Sequence, residues 1–139
     1  MLKVYVGHPI RGSKGIHATQ EDMEKNCEIA REFGNWLRKN YPGIEFYIPA
    51  DHEEFVRIAW MNNLLTEKEI LSVDCEIILG CCGLIIYAHD GHISKGMRVE
   101  KDYAIELEIP IVQLMPIDLN MGSSKEIVGH WLEGLGYNE

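Results

Sequence analysis

The chain has 139 residues, 46% hydrophobic and 25% charged, with a formal net charge of −9. That length suits one domain with its own core, and the acidity argues against a nucleic-acid polymer or an anionic membrane as partner, since both need a basic face. No apolar run approaches the roughly 20 residues that span a bilayer, no secretory signal opens the chain, and Cys27, Cys75, Cys81 and Cys82 form no C-x-x-C pair, so a cytoplasmic, reduced protein without a zinc site is expected.

Residues 2–6 read as a short strand and residues 7–15, GHPIRGSKG, as the loop after it. Glycine and proline mark irregular backbone there, and Arg11 and Lys14 make it positive. The spacing is not that of a P-loop, which needs Lys and Ser/Thr directly after its last glycine, nor that of a dinucleotide fingerprint. Thr19 with Asp22 makes a capped start. Met23, Cys27, Ala30, Phe33 and Leu37 then fall on one face of a helix running to about Asn40, where Tyr41-Pro42-Gly43 stops it. Residues 44–48 are a second strand, closed by Pro49. Asp51-His52-Glu53-Glu54 has metal-binding chemistry but reads as a solvated loop or helix start. Residues 54–65 lack a clear period and are expected as a short helix or a mobile flap.

Thr66 and Glu69 form a capping box that opens a second clear helix. Its apolar stripe is Ile70, Leu71, Ile77 and Ile78, and Asp74 lies within it. A carboxylate on an inward face needs a partner or a ligand; backbone amides, an arginine and a binding site are all open readings.

Residues 83–87, GLIIY, form the continuous apolar run of a strand buried on both faces. A polar turn over 88–94 gives way to a helical pattern carried by Met97, Tyr103, Ala104 and Leu107, with Ser94 as N-cap. Glu100 lies about one and a half turns inside. Helical side chains lean toward the N-terminus, so its carboxylate should project over Gly96. Glycine costs the helix about 1 kcal/mol relative to alanine there. In return it leaves space in front of the acid, next to free N–H groups that welcome an anion. Residues 110–115 are a fourth strand and 116–122 a loop. Ser123 with Glu126 should cap a last helix carrying Ile127, Trp131 and Leu135.

Strands alternating with helices imply an α/β fold, a flavodoxin- or Rossmann-like open parallel sheet of four to five strands with helices on both faces. Such sheets bind ligands beyond the carboxyl ends of the strands, where strand order reverses, here between the first and third. The 7–15 loop and the 89–96 turn would then face each other, bringing Arg11 and Lys14 toward Ser94, Gly96 and Glu100.

The runs Tyr5-Val6-Gly7-His8-Pro9-Ile10-Arg11-Gly12 and Cys82-Gly83-Leu84-Ile85-Ile86-Tyr87 carry a family likeness. So, above all, does Ser94-x-Gly96-x-x-x-Glu100-x-x-x-Ala104. Together they resemble the nucleoside 2-deoxyribosyltransferase-like superfamily, including its nucleotide N-glycosidases, and the likeness covers most of residues 1–139 as one domain. The resemblance implies cleavage of the N-glycosidic bond of a nucleotide or nucleoside, by hydrolysis or by transfer, with no cofactor and no metal. It implies that Glu100 is the nucleophile on the anomeric carbon and that Asp74 holds or protonates the base. Gly7, Pro9, Ile10, Arg11, Gly12, Asp90, Ser94, Lys95 and Gly96 would bind substrate. Ser94 is similar to the serine of members acting on 5′-monophosphates, where nucleoside-only transferases commonly carry an acid. The resemblance also implies a homodimer or larger homo-oligomer in which a neighbour completes the site. His89 and His92 depart from the family pattern. Two alternatives share the fold: a protein that sequesters a nucleotide without turnover, and an oligomeric scaffold with a vestigial pocket.

Overall fold

The computed structural model describes residues 1–138. In chain order the elements are β1 (Lys3–Gly7), α1 (Gln20–Asn40), β2 (Glu45–Tyr47), α2 (Glu53–Met61), α3 (Glu67–Leu79), β3 (Gly83–Tyr87), α4 (Lys95–Glu106), β4 (Ile111–Leu114) and α5 (Met121–Gly134). The strands form an open, all-parallel sheet in the order β2-β1-β3-β4. The chain steps from β1 to β2 on one side and later returns to place β3 on the other. Strand order therefore reverses between β1 and β3, where Val4 pairs with Gly83 and Gly7 with Ile86.

Strand side chains alternate between faces, and this sorts the core into two layers. Val4, Val6, Ile85 and Tyr87 pack against Cys27, Ala30, Phe33 and Leu37 of α1 and Val128 and Leu132 of α5. Tyr5, Leu84 and Ile86 face the other way, onto Ile78 of α3 and Met97 and Ala104 of α4. Each fully buried Leu or Ile in these layers contributes about 1.5–3 kcal/mol relative to exposure.

The caps of α1 and α3 form as reciprocal boxes, Thr19 with Asp22 and Thr66 with Glu69. The last helix differs from expectation. Asn120 caps it, accepting from the Ser123 N–H at 2.9 Å, so Ser123 lies inside α5 rather than before it. Asparagine caps as well as serine, and the earlier residue takes the role. Residues Pro116–Asp118 form a 3-10 turn, which the Ser124 hydroxyl ties down through the Asp118 carbonyl at 2.7 Å.

The acidic cluster at 51–54 opens α2. Asp51 pairs with Arg38 at 2.6 Å and Glu53 with Arg31 at 3.6 Å, so both carboxylates are neutralised from α1. Residues 53–61 settle as a helix, but of its side chains only Ala59 is buried, and Phe55, Ile58, Trp60 and Met61 stay exposed. No helix among the described residues is long and apolar enough to cross a membrane.

Candidate active site

The strand alternation that buries Tyr5 beneath α3 and α4 aims its hydroxyl at two carboxyls. Tyr5 donates a hydrogen bond to Glu100 Oε2, and the same hydroxyl favours the charged form of Asp74. Glu100, on α4, is only 6% exposed, while Asp74, on α3, is half-buried. Loss of water raises the Glu100 pKa to about 8, with the Tyr5 hydrogen bond pulling it down and the Asp74 charge pushing it up. Burial likewise raises Asp74 to about 6, against the Tyr5 hydrogen bond. Burial and both acids hold Tyr5 itself protonated.

One hydroxyl carries one proton. It can therefore be donated to only one of the two carboxylates at a time, and it goes to Glu100. Burial makes Glu100 the carboxyl that resists ionisation more, whereas the Tyr5 hydrogen bond favours its charged form. Tyr47 stacks on Tyr5 with ring centroids 5.4 Å apart, and His52 on Tyr47 at 5.1 Å, forming an aromatic wall beside the acids.

A Cβ built on Gly7 would stand 3.1 Å from Glu100 Oε1, so the strand backbone presses on the acid directly. A Cβ on Gly96 would meet nothing within 4 Å, so the first turn of α4 is open at that position. There the Ser94 hydroxyl accepts from Met97 N–H at 3.2 Å, and its own O–H is left to donate.

The loop after β1 is braced from several sides. His8 is buried. The Ala50 N–H donates to its Nε2 at 3.0 Å, which leaves Nδ1 to carry the proton and donate to the Pro9 carbonyl at 3.1 Å. Burial lowers the His8 pKa to about 4, so this neutral tautomer persists through the physiological range. Asn26 donates to the Ile10 carbonyl at 2.8 Å. Asp90 accepts from Ser13 N–H at 2.8 Å and from His92 N–H at 3.1 Å, which ties the first loop to the turn after β3. Gly12 is required twice, because its φ is +68° and because a Cβ there would lie 2.5 Å from Asp90 Oδ2. Asp90 thus works as a brace between the loops. Lys14 turns away from the site to Asp22 of the α1 cap at 3.0 Å, drawn by a carboxylate eight residues ahead. Arg11 is half-buried and pairs with Glu67 at 3.1 Å.

Comparison with family models, curated proteins and solved structures found no match to this chain.

The site therefore stands on its own chemistry. Two surface hollows lie elsewhere: one of about 290 Å³ is lined by Phe55, Ile58, Ala59, Leu64 and Leu65, and one of about 320 Å³ by Tyr41, Lys125, Glu126, Gly129, His130 and Glu133. The first is apolar, and the carboxyls of the second, Glu126 and Glu133, are exposed. Buried carboxyls at a topological switch point are the stronger pointer to chemistry. Of the residues singled out from sequence, Gly7, Asp74 and Glu100 converge. Pro9, Ile10, Arg11, Gly12 and Asp90 form the braced loops at the same edge of the sheet, and Ser94, Lys95 and Gly96 begin α4. Sequence reasoning passed over Tyr5, Tyr47 and His8. Tyr5 had a signal: it stands two residues before Gly7 in a strand, and so shares its face.

Proposed function

We propose that the chain is an N-glycosidase or N-deoxyribosyltransferase acting on a nucleotide or nucleoside. The observation that carries this reading is the Glu100–Tyr5–Asp74 trio, set beside open space at Gly96. Ionised Glu100 attacks the anomeric carbon as the bond to the base nitrogen breaks. The bond's electron pair goes to the base, and Asp74 supplies the proton that lets it leave as a neutral molecule. The glycosyl–Glu100 ester is then opened by water or by a second base. In hydrolysis, Asp74 takes the proton that water releases. Tyr5 holds the nucleophile and links it to the acid. The amides that open α4, Ser94, and Arg11 or Lys95 suit a 5′-phosphate.

A second reading, a nucleotide-binding protein without turnover, is favoured by one observation. A Glu100 kept neutral by burial is a hydrogen-bond donor and no nucleophile. In either case we read the protein as a homodimer or larger homo-oligomer, on the strength of the uncovered apolar side chains of α2.

Incubation with a panel of nucleosides and 5′-monophosphates, followed by chromatography for free base, decides between the readings. Release of base by the wild type, and its loss by several orders of magnitude in Glu100→Gln with binding retained, is the expected result. Tight binding without product would establish the sequestering alternative instead.

A further inference from the structure

Arg11 and Glu67 meet although 56 residues separate them. Glu67 is the first residue of α3, and Asp74 follows seven residues later. Seven residues turn a helix by about 700° and advance it by about 10 Å, so Glu67 sits on the Asp74 face, nearly two turns nearer the carboxyl edge of the sheet. Across from it α4 begins, with Ser94 and its free amides. Arg11 reaches over from a loop held at Pro9 by His8, at Ile10 by Asn26 and at Ser13 by Asp90. The backbone under Arg11 is thereby fixed, and its guanidinium alone is left to reorient.

Resting on the nucleotide reading above, we propose that Glu67 is a placeholder anion on Arg11. A phosphorylated ligand enters by taking Arg11 from Glu67, and Glu67 thereby sets how far the site prefers a phosphomonoester over the neutral nucleoside. The pair is built for exchange. Its side chains are 40% and 70% exposed, and ion pairs so exposed are weak. Glu67 offers a single oxygen to one guanidinium nitrogen, whereas a phosphate takes two parallel N–H groups and carries more charge. Glu67 left unpaired beside an incoming dianion also repels it.

Calorimetry with carbocyclic deoxynucleoside 5′-monophosphates carrying adenine, guanine, cytosine or thymine, and with the corresponding nucleosides, tests this without turnover. Glu67→Gln should tighten monophosphate binding about threefold to tenfold and leave the nucleosides unchanged. In an Arg11→Ala background the gain should vanish. Glu67→Ala guards against an effect peculiar to glutamine, and a melting curve against one of folding. A gain that survives without Arg11, an equal gain for nucleosides, or no gain at all would overturn the placeholder. Cleavage of natural monophosphates measured alongside separates the two ideas. Cleavage with no response to Glu67→Gln removes the placeholder alone, whereas a wild type that neither binds nor cleaves any monophosphate removes the nucleotide reading with it.

Discussion

Tyr5 is the residue on which both acids depend. Its hydroxyl lowers the proton affinity of Glu100 and of Asp74, against a burial that raises both. Between the two titrations the pair holds one proton, which on the glycosidase reading is the state with one nucleophile and one acid. The expected kcat/KM profile is a bell, rising near pH 6 as the first proton leaves and falling near pH 8 as the second does. Tyr5→Phe should move both limbs to higher pH and cost roughly tenfold to a hundredfold in rate; unmoved limbs would remove Tyr5 from the proton path. Stability follows the same protons. Both folded pKa values lie above their unfolded ones, so the stability these groups confer is fully present below the unfolded carboxylate pKa values. It falls as the pH climbs through about 6 and then about 8. Glu100→Gln cannot ionise. By denaturant titration it should be more stable than the wild type at pH 9 by about 2–4 kcal/mol, and nearly equal to it at pH 4. A gain of the same size at both pH values would mean that ionisation of Glu100 is not what strains the fold.

Among the elements, α4 shows most plainly how function displaces stability. Alanine at position 96 would meet no neighbour within 4 Å and should raise helix stability by up to about 1 kcal/mol. On the glycosidase reading, its methyl group would take space that the ligand needs at the start of α4. Gly96→Ala is therefore expected to melt higher and bind ligand more weakly, and Gly96→Leu to bind none; equal affinities by calorimetry would show that the ligand lies elsewhere. This helix was readable from the chain because Ser94, Gly96 and Glu100 fall within seven consecutive residues, where helical spacing alone sets their relations. The Tyr5 hydrogen bond was not, since it joins residues 95 apart and needs the packing of α4 on β1. The pairing of Lys14 with Asp22 was not readable for a similar reason. Its charge was legible, but the choice between Asp22 and the ligand is made by where the 3-10 turn at Gly12–His17 points it. The start of α5 shifted because two good cappers, Asn120 and Ser123, stand three apart, and spacing does not rank them.

For the molecule as a whole, the topology was readable because parallel strands need helical crossovers, and the alternation of apolar runs with capped helices records them. The same topology has a consequence for synthesis. A sheet without hairpins offers no local strand pair from which to begin. β1 lies at its centre yet is made before the other three strands, and Val4 must wait for Gly83 before it is paired on that side. At about 5–20 residues per second that wait lasts roughly 4–16 seconds, while Val4, Tyr5 and Val6 remain open to any other nascent strand. The Tyr5–Glu100 contact forms later still, so a chain released early carries a sticky strand and no chemistry. The most protected strand of the finished protein is thus its most vulnerable one during translation.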